Sequence, residues 1–341
     1  MNALPRVAVS MGDPSGIGAE VTVAALQRRS VRSQLTPILV GDLGVYRAAA
    51  ALLGARLRFA AWAPPAPLPR AAIAVHEVSA LTARQRQPGR PTAGGGRAAY
   101  AAVVEAVRLV RAGFADALAT APLCKSNLQA AGRGPSGHTE LLAELCGGPA
   151  VRMMMIGPRL RVALVTTHLA LRAVPDALSV SAVLDTLLIA DRALRQHFGL
   201  VRPRLGVAGL NPHAGEGGLF GTEDAHIIAP AVRAARKRGV EAWGPAAADS
   251  LFARTNTDRF DAVVCMYHDQ GLAPFKLLHF ADGVNFTAGL PIIRTSPDHG
   301  TAHDLAGGGT ADPRSMAAAL TMAAALSRSP ADREKRPPSK R

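Results

Sequence analysis

The chain is poor in cysteine and in aromatic residues: three cysteines, two tryptophans and three tyrosines in 341 residues, with aromatics at only 4%. Cys124, Cys146 and Cys265 are odd in number and show no CxxC spacing, which argues against a disulfide framework. No charged segment leading into a long apolar one opens the chain, and together these features fit a reduced, cytoplasmic setting. No window reaches the ~18 uninterrupted apolar residues that a membrane helix needs, so no membrane association is expected. A dinucleotide fingerprint of GxGxxG spacing is also missing. Lysine is scarce as well, five against 34 arginines. The formal net charge of +14 invites an anionic partner, yet the arginines are scattered singly and no basic stretch is interleaved with aromatics. Nucleic acid is therefore not expected as a partner. The densest basic cluster is the proline-rich tail, and residues 327–341 read as disordered.

What is present is an α/β pattern. Apolar residues make up 48% and charged ones 19%, a globular balance in a chain long enough for a full core. Val7–Ser10 reads as a buried strand, followed by the loop Met11–Gly18 and a helix from Ala19. Further strands are expected at Pro37–Gly41, Ala117–Ala121, Met153–Ile156 and Leu160–Val165, the last two joined by a Gly157-Pro158 turn. Helices are expected over Arg97–Gly113 and across the amphipathic segment Ser179–Phe198, whereas residues 61–69 read as a surface connection. Strands alternating with helices argue for a largely parallel sheet covered on both faces. The division expected is an end domain of residues 1–120 plus 281–326 and a middle domain of residues 121–280, with a cleft between them.

Three histidines each follow directly on a short apolar run: His168 after Val162–Thr167, His213 after Leu205–Pro212 and His268 after Ala262–Tyr267. Ligands of open α/β sheets bind beyond the carboxyl ends of the strands, so imidazoles delivered there by separate strands are suited to converge on one ion. A single such histidine is most often a loop residue bonded to a neighbouring carbonyl, and it is the repetition that favours a metal.

Other segments suit anions. In Pro135-Ser-Gly-His-Thr-Glu140, His138 and Thr139 stand where a helix begins, a position suited to phosphate or carboxylate and equally to a simple helix cap. Lys276, Asn285 and Arg294 follow at spacings of nine in apolar or glycine-flanked settings. There Lys276 supplies a point charge and Arg294 a bidentate partner for a phosphate, while a surface lysine with its stem buried is the plainer reading of Lys276. Gly12–Gly18 taken alone is a tight turn.

Six motifs in order make a more specific pattern: Met11-Gly-Asp-Pro-Ser-Gly-Ile-Gly-Ala-Glu20, Gly137-His-Thr-Glu140, Thr167-His168, Asn211-Pro-His-Ala-Gly-Glu-Gly-Gly218, Tyr267-His-Asp-Gln-Gly271 and Thr295-Ser-Pro-Asp-His-Gly-Thr-Ala302. Over about residues 5 to 325 the chain resembles the PdxA family, the 4-hydroxythreonine-4-phosphate dehydrogenases of pyridoxal phosphate biosynthesis. The resemblance implies a two-domain α/β fold like that of isocitrate and isopropylmalate dehydrogenases, with largely parallel sheets and an inter-domain cleft. It also implies that His168, His213 and His268 hold a divalent metal (Zn²⁺, Mg²⁺, Mn²⁺ or Co²⁺) at a homodimer interface, one ligand crossing from the partner. His138, Thr139, Lys276, Asn285 and Arg294 would then hold the phosphorylated substrate. Asp298, His299, Gly300 and Asp304 fall in a segment that looks like the adenosine-binding loop of those dehydrogenases, with NAD or NADP as the cofactor. One departure is Ala131–Ser136, where Arg133 replaces a more apolar stretch.

The activity implied is oxidation of 4-phosphooxy-L-threonine to 2-amino-3-oxo-4-phosphooxybutanoate, which decarboxylates to 3-amino-2-oxopropyl phosphate. Asp249 and Asp269 are the carboxylates suited to supporting or proton-transfer roles. The alternatives are 4-phosphothreonate or 4-phosphoerythronate as substrate. From another class, an anion-binding or nucleic-acid-binding protein accounts for the charge but leaves the three strand-end histidines unexplained.

Overall fold

Mostly from short apolar runs bounded by turns, twelve strands form among the described residues, which in this computed structural model are 3–132, 137–253 and 258–328. Arg133 and Ser136 lie outside them, as does the tail from residue 329. The chain divides into two units, residues 1–149 with 290–341, and residues 150–289.

The first unit contains β1 (Arg6–Ser10), β2 (Thr36–Gly41), β3 (Phe59–Ala61), β4 (Ile73–Glu77), β5 (Ala117–Thr120) and, from the far end of the chain, β12 (Arg294–Pro297). They lie in the order β3-β4-β2-β1-β5-β12 and every pairing is parallel. β1 and β5 are buried throughout or nearly so, as near-continuous apolar strands of a parallel sheet must be. The long helix Ala93–Arg111 is capped by Thr92, whose hydroxyl accepts from Gly95 N–H, and buries Ala98, Ala102, Val103 and Ala106.

The second unit contains β6 (Arg152–Ile156), β7 (Arg161–Leu164), β8 (Arg204–Ala208), β9 (Glu241–Ala246), β10 (Ala262–Cys265) and β11 (Val284–Ala288), in the order β11-β6-β7-β10-β8-β9. β7, β10, β8 and β9 are parallel neighbours, whereas β6 is antiparallel to both β7 and β11. The exception has a local cause. Only residues 157–160 separate β6 from β7, with Gly157 N–H donating to Leu160 C=O, and so short a link permits only a hairpin. Helix Val180–Phe198 begins at Ser179, which caps Ala182 N–H, and ends at Gly199 with φ of 72°. The core beneath the sheet gathers Met153, Met155, Val162, Leu164, Val263 and Phe275.

The unit boundaries fall at 149/150 and 289/290, where the sequence pattern placed them at 120/121 and 280/281. Two packings account for the difference: the helix Lys125–Ala130 packs on Ala93–Arg111, and β11 pairs with β6. Among the described residues no single helix is long and apolar enough to cross a membrane.

Candidate functional site

In the second unit β10 lies between β7 and β8, so the carboxyl ends of three parallel strands are neighbours. Their exits are tied together. Val165 N–H donates to Cys265 C=O (2.9 Å), and the buried Thr166 hydroxyl donates to Met266 C=O (2.7 Å). Gln270, also buried, accepts from Met266 N–H (2.7 Å) and donates its amide to Gly209 C=O (2.6 Å), which links the exit of β10 to that of β8. These bonds satisfy backbone groups that the strands leave open, and fix where the following residues start.

The consequence for two of the three histidines is direct. His168 and His268 stand with ring centroids 5.6 Å apart, planes at 42°. They line a cavity of about 480 Å³ with Tyr267, Asp269 and the apolar Leu169 and Leu171. His268 is the first residue of helix His268–His279, and its Nδ1 lies 2.7 Å from Asp269 Oδ1. An ionised carboxylate only accepts, so this contact puts the proton on Nδ1 and leaves the Nε2 lone pair available to a ligand. Asp269 itself is exposed.

His213 behaves differently. The buried Asp224 accepts from Leu210 N–H (2.8 Å) and from Asn211 N–H (3.2 Å), anchoring the exit of β8. Five consecutive residues, His213 to Gly217, then adopt positive φ between 43° and 85°. This left-handed stretch turns His213 outward: its side chain is 65% exposed, its Nδ1 is 3.9 Å from Glu216, and its ring rests 6.1 Å from that of Phe220. Among the described residues of one chain, His168, His213 and His268 do not form a set of donors within 4.8 Å of one another. Asp249 is exposed on the short helix Ala248–Leu251.

The first unit holds the anion-directed residues His138, Thr139 and Arg294. Arg294 opens β12, is 1% exposed, and donates from Nε (3.1 Å) and Nη2 (2.7 Å) to the Thr120 hydroxyl at the end of β5. Burial pushes its pKa down to about 9, so it stays charged at neutral pH. His138 begins the helix His138–Leu145, and its Nε2 is sealed from solvent without a hydrogen-bond partner among the described residues. Burial first, and the Arg294 charge second, hold its pKa well below the usual imidazole value, so the ring is neutral. The residue capping this helix is Gly137, which makes no side-chain cap bond. A buried cation beside a neutral ring with an unsatisfied nitrogen is an arrangement that an anionic ligand would complete.

Lys276 and Asn285 belong to the second unit. Lys276 is half-buried two turns along the helix that His268 opens, and Asn285 lies on β11 with Oδ1 sealed and, among the described residues, unpartnered. In the loop after β12, Asp298 N–H donates to Ser315 Oγ (2.9 Å), His299 Nε2 is sealed with no partner among the described residues, and Gly300 and Asp304 are exposed. The buried Glu20 carboxylate fixes the end of this loop by accepting from Gly307 N–H (2.7 Å) and Gly309 N–H (3.1 Å).

The profile of the family described as "Pyridoxal phosphate biosynthetic protein PdxA" matches residues 33–323. The chain belongs to the PdxA family. It is 50% identical over 332 residues to a 4-hydroxythreonine-4-phosphate dehydrogenase of Geobacter metallireducens, covering 96% of this chain and 97% of the relative. It is 44% identical over 325 residues to a D-threonate 4-phosphate dehydrogenase of Cupriavidus necator, covering 95% and 97%. Among solved structures, it is similar to the 4-hydroxythreonine-4-phosphate dehydrogenase of Klebsiella pneumoniae, with a TM-score of 0.85 at 40% identity over 95% of this chain and all of that one.

Four residues that anchor these candidate groups are assigned no role by sequence patterns: Thr166, Gln270, Asp224 and Thr120. Thr166, Gln270 and Thr120 act on groups 100, 61 and 174 residues away, and Asp224 on backbone N–H groups 13 and 14 residues away. Gln270 stands inside the Tyr-His-Asp-Gln-Gly motif, and only the structure gives it a role.

Proposed function

We propose that the chain is a cytoplasmic, NAD(P)-dependent and divalent-metal-dependent dehydrogenase that oxidises the secondary alcohol of 4-phosphooxy-L-threonine. The product is 2-amino-3-oxo-4-phosphooxybutanoate, whose carboxylate lies β to the new ketone; loss of CO₂ then gives 3-amino-2-oxopropyl phosphate. Two electrons and one hydrogen leave carbon 3 as hydride, and the hydroxyl proton goes to a base. The observation that carries this reading is the buried Arg294 charge beside the neutral His138, whose Nε2 has no hydrogen-bond partner among the described residues.

In this reading His138, Thr139, Lys276, Asn285 and Arg294 hold the phosphorylated substrate. Arg294, already aligned by Thr120, gives a bidentate contact without reorganising, and a neutral His138 donates from Nε2 to a phosphate oxygen. Asp298, His299, Gly300 and Asp304 take the nucleotide, on a loop whose far end Glu20 clamps. His168, His213 and His268 hold the cation. Three neutral imidazoles suit Zn²⁺ or Co²⁺, with Mg²⁺ and Mn²⁺ as the harder alternatives. When bound, the divalent ion supplies Lewis acidity to the alcohol and the nicotinamide supplies the hydride acceptor.

The chain's own carboxylates do the rest. Asp269 fixes the tautomer and the orientation of His268, and Asp249 and Asp269 are the groups proposed to take or relay the hydroxyl proton. The enzyme works as a homodimer, with one histidine ligand supplied by the partner. That reading is supported by the outward posture of His213 and by Leu277 and Phe280, which are 87% and 79% exposed on the turn of chain after Lys276. A second reading, oxidation of 4-phosphothreonate or 4-phosphoerythronate, rests on the 44% identity to the Cupriavidus necator enzyme.

The test is reduction of NAD⁺ and of NADP⁺ with 4-phosphooxy-L-threonine, 4-phosphothreonate and 4-phosphoerythronate, each with and without a chelator. Turnover fastest on the amino compound and abolished by chelator is expected. Full activity in chelator, or none on any phosphorylated hydroxy acid, overturns the proposal.

A further inference from the structure

In the first unit the strand-end rule operates a second time. β1, β5 and β12 are consecutive parallel neighbours, and three potential ligands follow their carboxyl ends: Asp13 three residues beyond β1, Cys124 four beyond β5 and His303 six beyond β12. One donor atom from each, a carboxylate oxygen, Cys124 Sγ and a ring nitrogen of His303, lie within 4.8 Å of one another. His303 Nε2 is 3.7 Å from Asp13 Oδ2. A four-coordinate ion with metal–ligand distances of about 2.0–2.3 Å needs its donors about 3.3–3.6 Å apart, so small side-chain rotations close the set.

The scaffold around the three is built. Asp13 is 1% exposed, and Oδ1 accepts from Ser15 N–H (2.9 Å) and Ser15 Oγ (2.6 Å) while Oδ2 accepts from Asn127 Nδ2. These bonds orient the carboxylate and leave lone pairs facing the other two donors. Cys124 and His303 are only half-buried, so an ion has a way in. Backbone bonds hold the three segments together: Asp13 N–H donates to Pro122 C=O (2.9 Å) and Ile17 N–H to Thr301 C=O (2.9 Å). Gly16 makes the second approach feasible, since a Cβ there would meet Thr301 O at 2.7 Å.

We infer that Asp13, Cys124 and His303 form a further divalent-cation site, distinct from the strand-end histidines, for a borderline ion of the Zn²⁺ class. A mixed oxygen, sulfur and nitrogen set selects Zn²⁺ or Co²⁺ over Mg²⁺ or Ca²⁺, and three protein ligands leave a fourth position for water. The bound ion compensates a carboxylate that the fold otherwise buries among hydroxyl, amide and imidazole groups. It also cross-links the loops after β1 and β12.

The experiment is titration of the full-length, metal-stripped chain with Co²⁺ under reducing, oxygen-free conditions, followed by absorption spectroscopy. A thiolate-to-cobalt charge-transfer band is expected in the near ultraviolet, saturating at one ion per chain and bleached by added Zn²⁺. Cys124→Ser abolishes the band, and His303→Ala weakens the Co²⁺ affinity that the band reports at least tenfold. Circular dichroism of both variants verifies the fold. The histidine site contains no sulfur, so its visible ligand-field absorption persists in Cys124→Ser, and failure of the proposed dehydrogenase reading would leave the thiolate band untouched. No charge-transfer band at Co²⁺ saturation, or a band that survives in Cys124→Ser, overturns the inference.

Discussion

The strand-end histidines of the second unit and the Arg294–His138 pair of the first differ in how complete each is within one chain. Arg294 is buried and braced by Thr120, and His138 is held neutral with a sealed nitrogen that has no partner among the described residues. Burial and the Thr120 hydroxyl fix that pair in place. The histidines are not gathered at one point: His168 and His268 face each other at 5.6 Å, while His213 extends into solvent on a left-handed turn. An interior site fixes its residues by packing and desolvation. Where a side chain stands outside the packed interior, as His213 does, the backbone conformation rather than packing sets its direction.

The sharpest break in this comparison comes from His213. His213→Asn retains a residue that tolerates positive φ, and so keeps the turn while removing the imidazole. We expect kcat/KM to fall by about 10³-fold, as Lewis-acid assistance worth several kcal/mol disappears, with the thermal unfolding midpoint unchanged because the side chain is exposed. Mixing this variant with His268→Ala, after both have been allowed to exchange subunits, should restore roughly a quarter of wild-type activity if the ligands come from two copies. A mixture that stays inactive places all three ligands in one chain.

Arg294→Lys probes the complete region. The lysine keeps the charge but loses the fork that Thr120 aligns, and we expect kcat/KM for phosphorylated substrate to drop about 10²-fold, chiefly through KM. An unphosphorylated alcohol analogue should be oxidised equally poorly by both proteins. Equal KM values for the phosphorylated substrate would remove Arg294 from substrate binding.

Much of this layout is visible in the sequence because parallel sheets write it plainly. β1, β5, β7, β8 and β10 are short apolar runs ending in turns, and the position of each chemistry-bearing residue relative to its strand end survives translation into three dimensions. The remainder is hidden for identifiable reasons. β12 reads Arg-Thr-Ser-Pro, with no apolar signal, yet all four residues are buried. β9 carries Gly244-Pro245 inside a strand, which sequence patterns assign to loops. The left-handed run at His213–Gly217 mixes glycine with residues that rarely adopt positive φ, so its direction follows from the Asp224 anchor and not from local preference. Gln270 and Thr120 matter through partners 61 and 174 residues away, a separation no local pattern encodes.

A smaller effect sharpens the exposed side of the comparison. Asp269 is itself open to solvent but accepts from His268 Nδ1 at 2.7 Å, and Asp269→Asn turns a charged acceptor into a neutral one. The ring loses its fixed tautomer and some basicity, so metal affinity or turnover should fall by about 10- to 100-fold. Adding excess Zn²⁺ to the assay separates the outcomes: recovery of kcat identifies weakened metal binding, and no recovery identifies a defect in proton transfer. Unchanged affinity and turnover would strip Asp269 of both roles.

The smallest expected effect concerns the buried side and is read in stability, not turnover. Burial and the Arg294 charge hold the pKa of His138 below its ordinary value of about 6.5. As pH falls, the unfolded chain therefore binds this proton before the folded one does, and by linkage the native state loses stability from about pH 6.5 down to the depressed folded value. Above that window the contribution is fully present. His138→Asn removes the titrating ring, so the slope of unfolding free energy against pH should be shallower than wild type by up to one proton across pH 6.5 to 5, measured by urea denaturation at fixed ionic strength. An anion bound at Arg294 offsets the charge that helps to keep His138 neutral, and saturating inorganic phosphate should therefore narrow the gap between the two slopes. Slopes that coincide without phosphate would mean that His138 is hydrated in solution, and the contrast between the buried Arg294–His138 pair and the exposed His213 would then fail on its buried side.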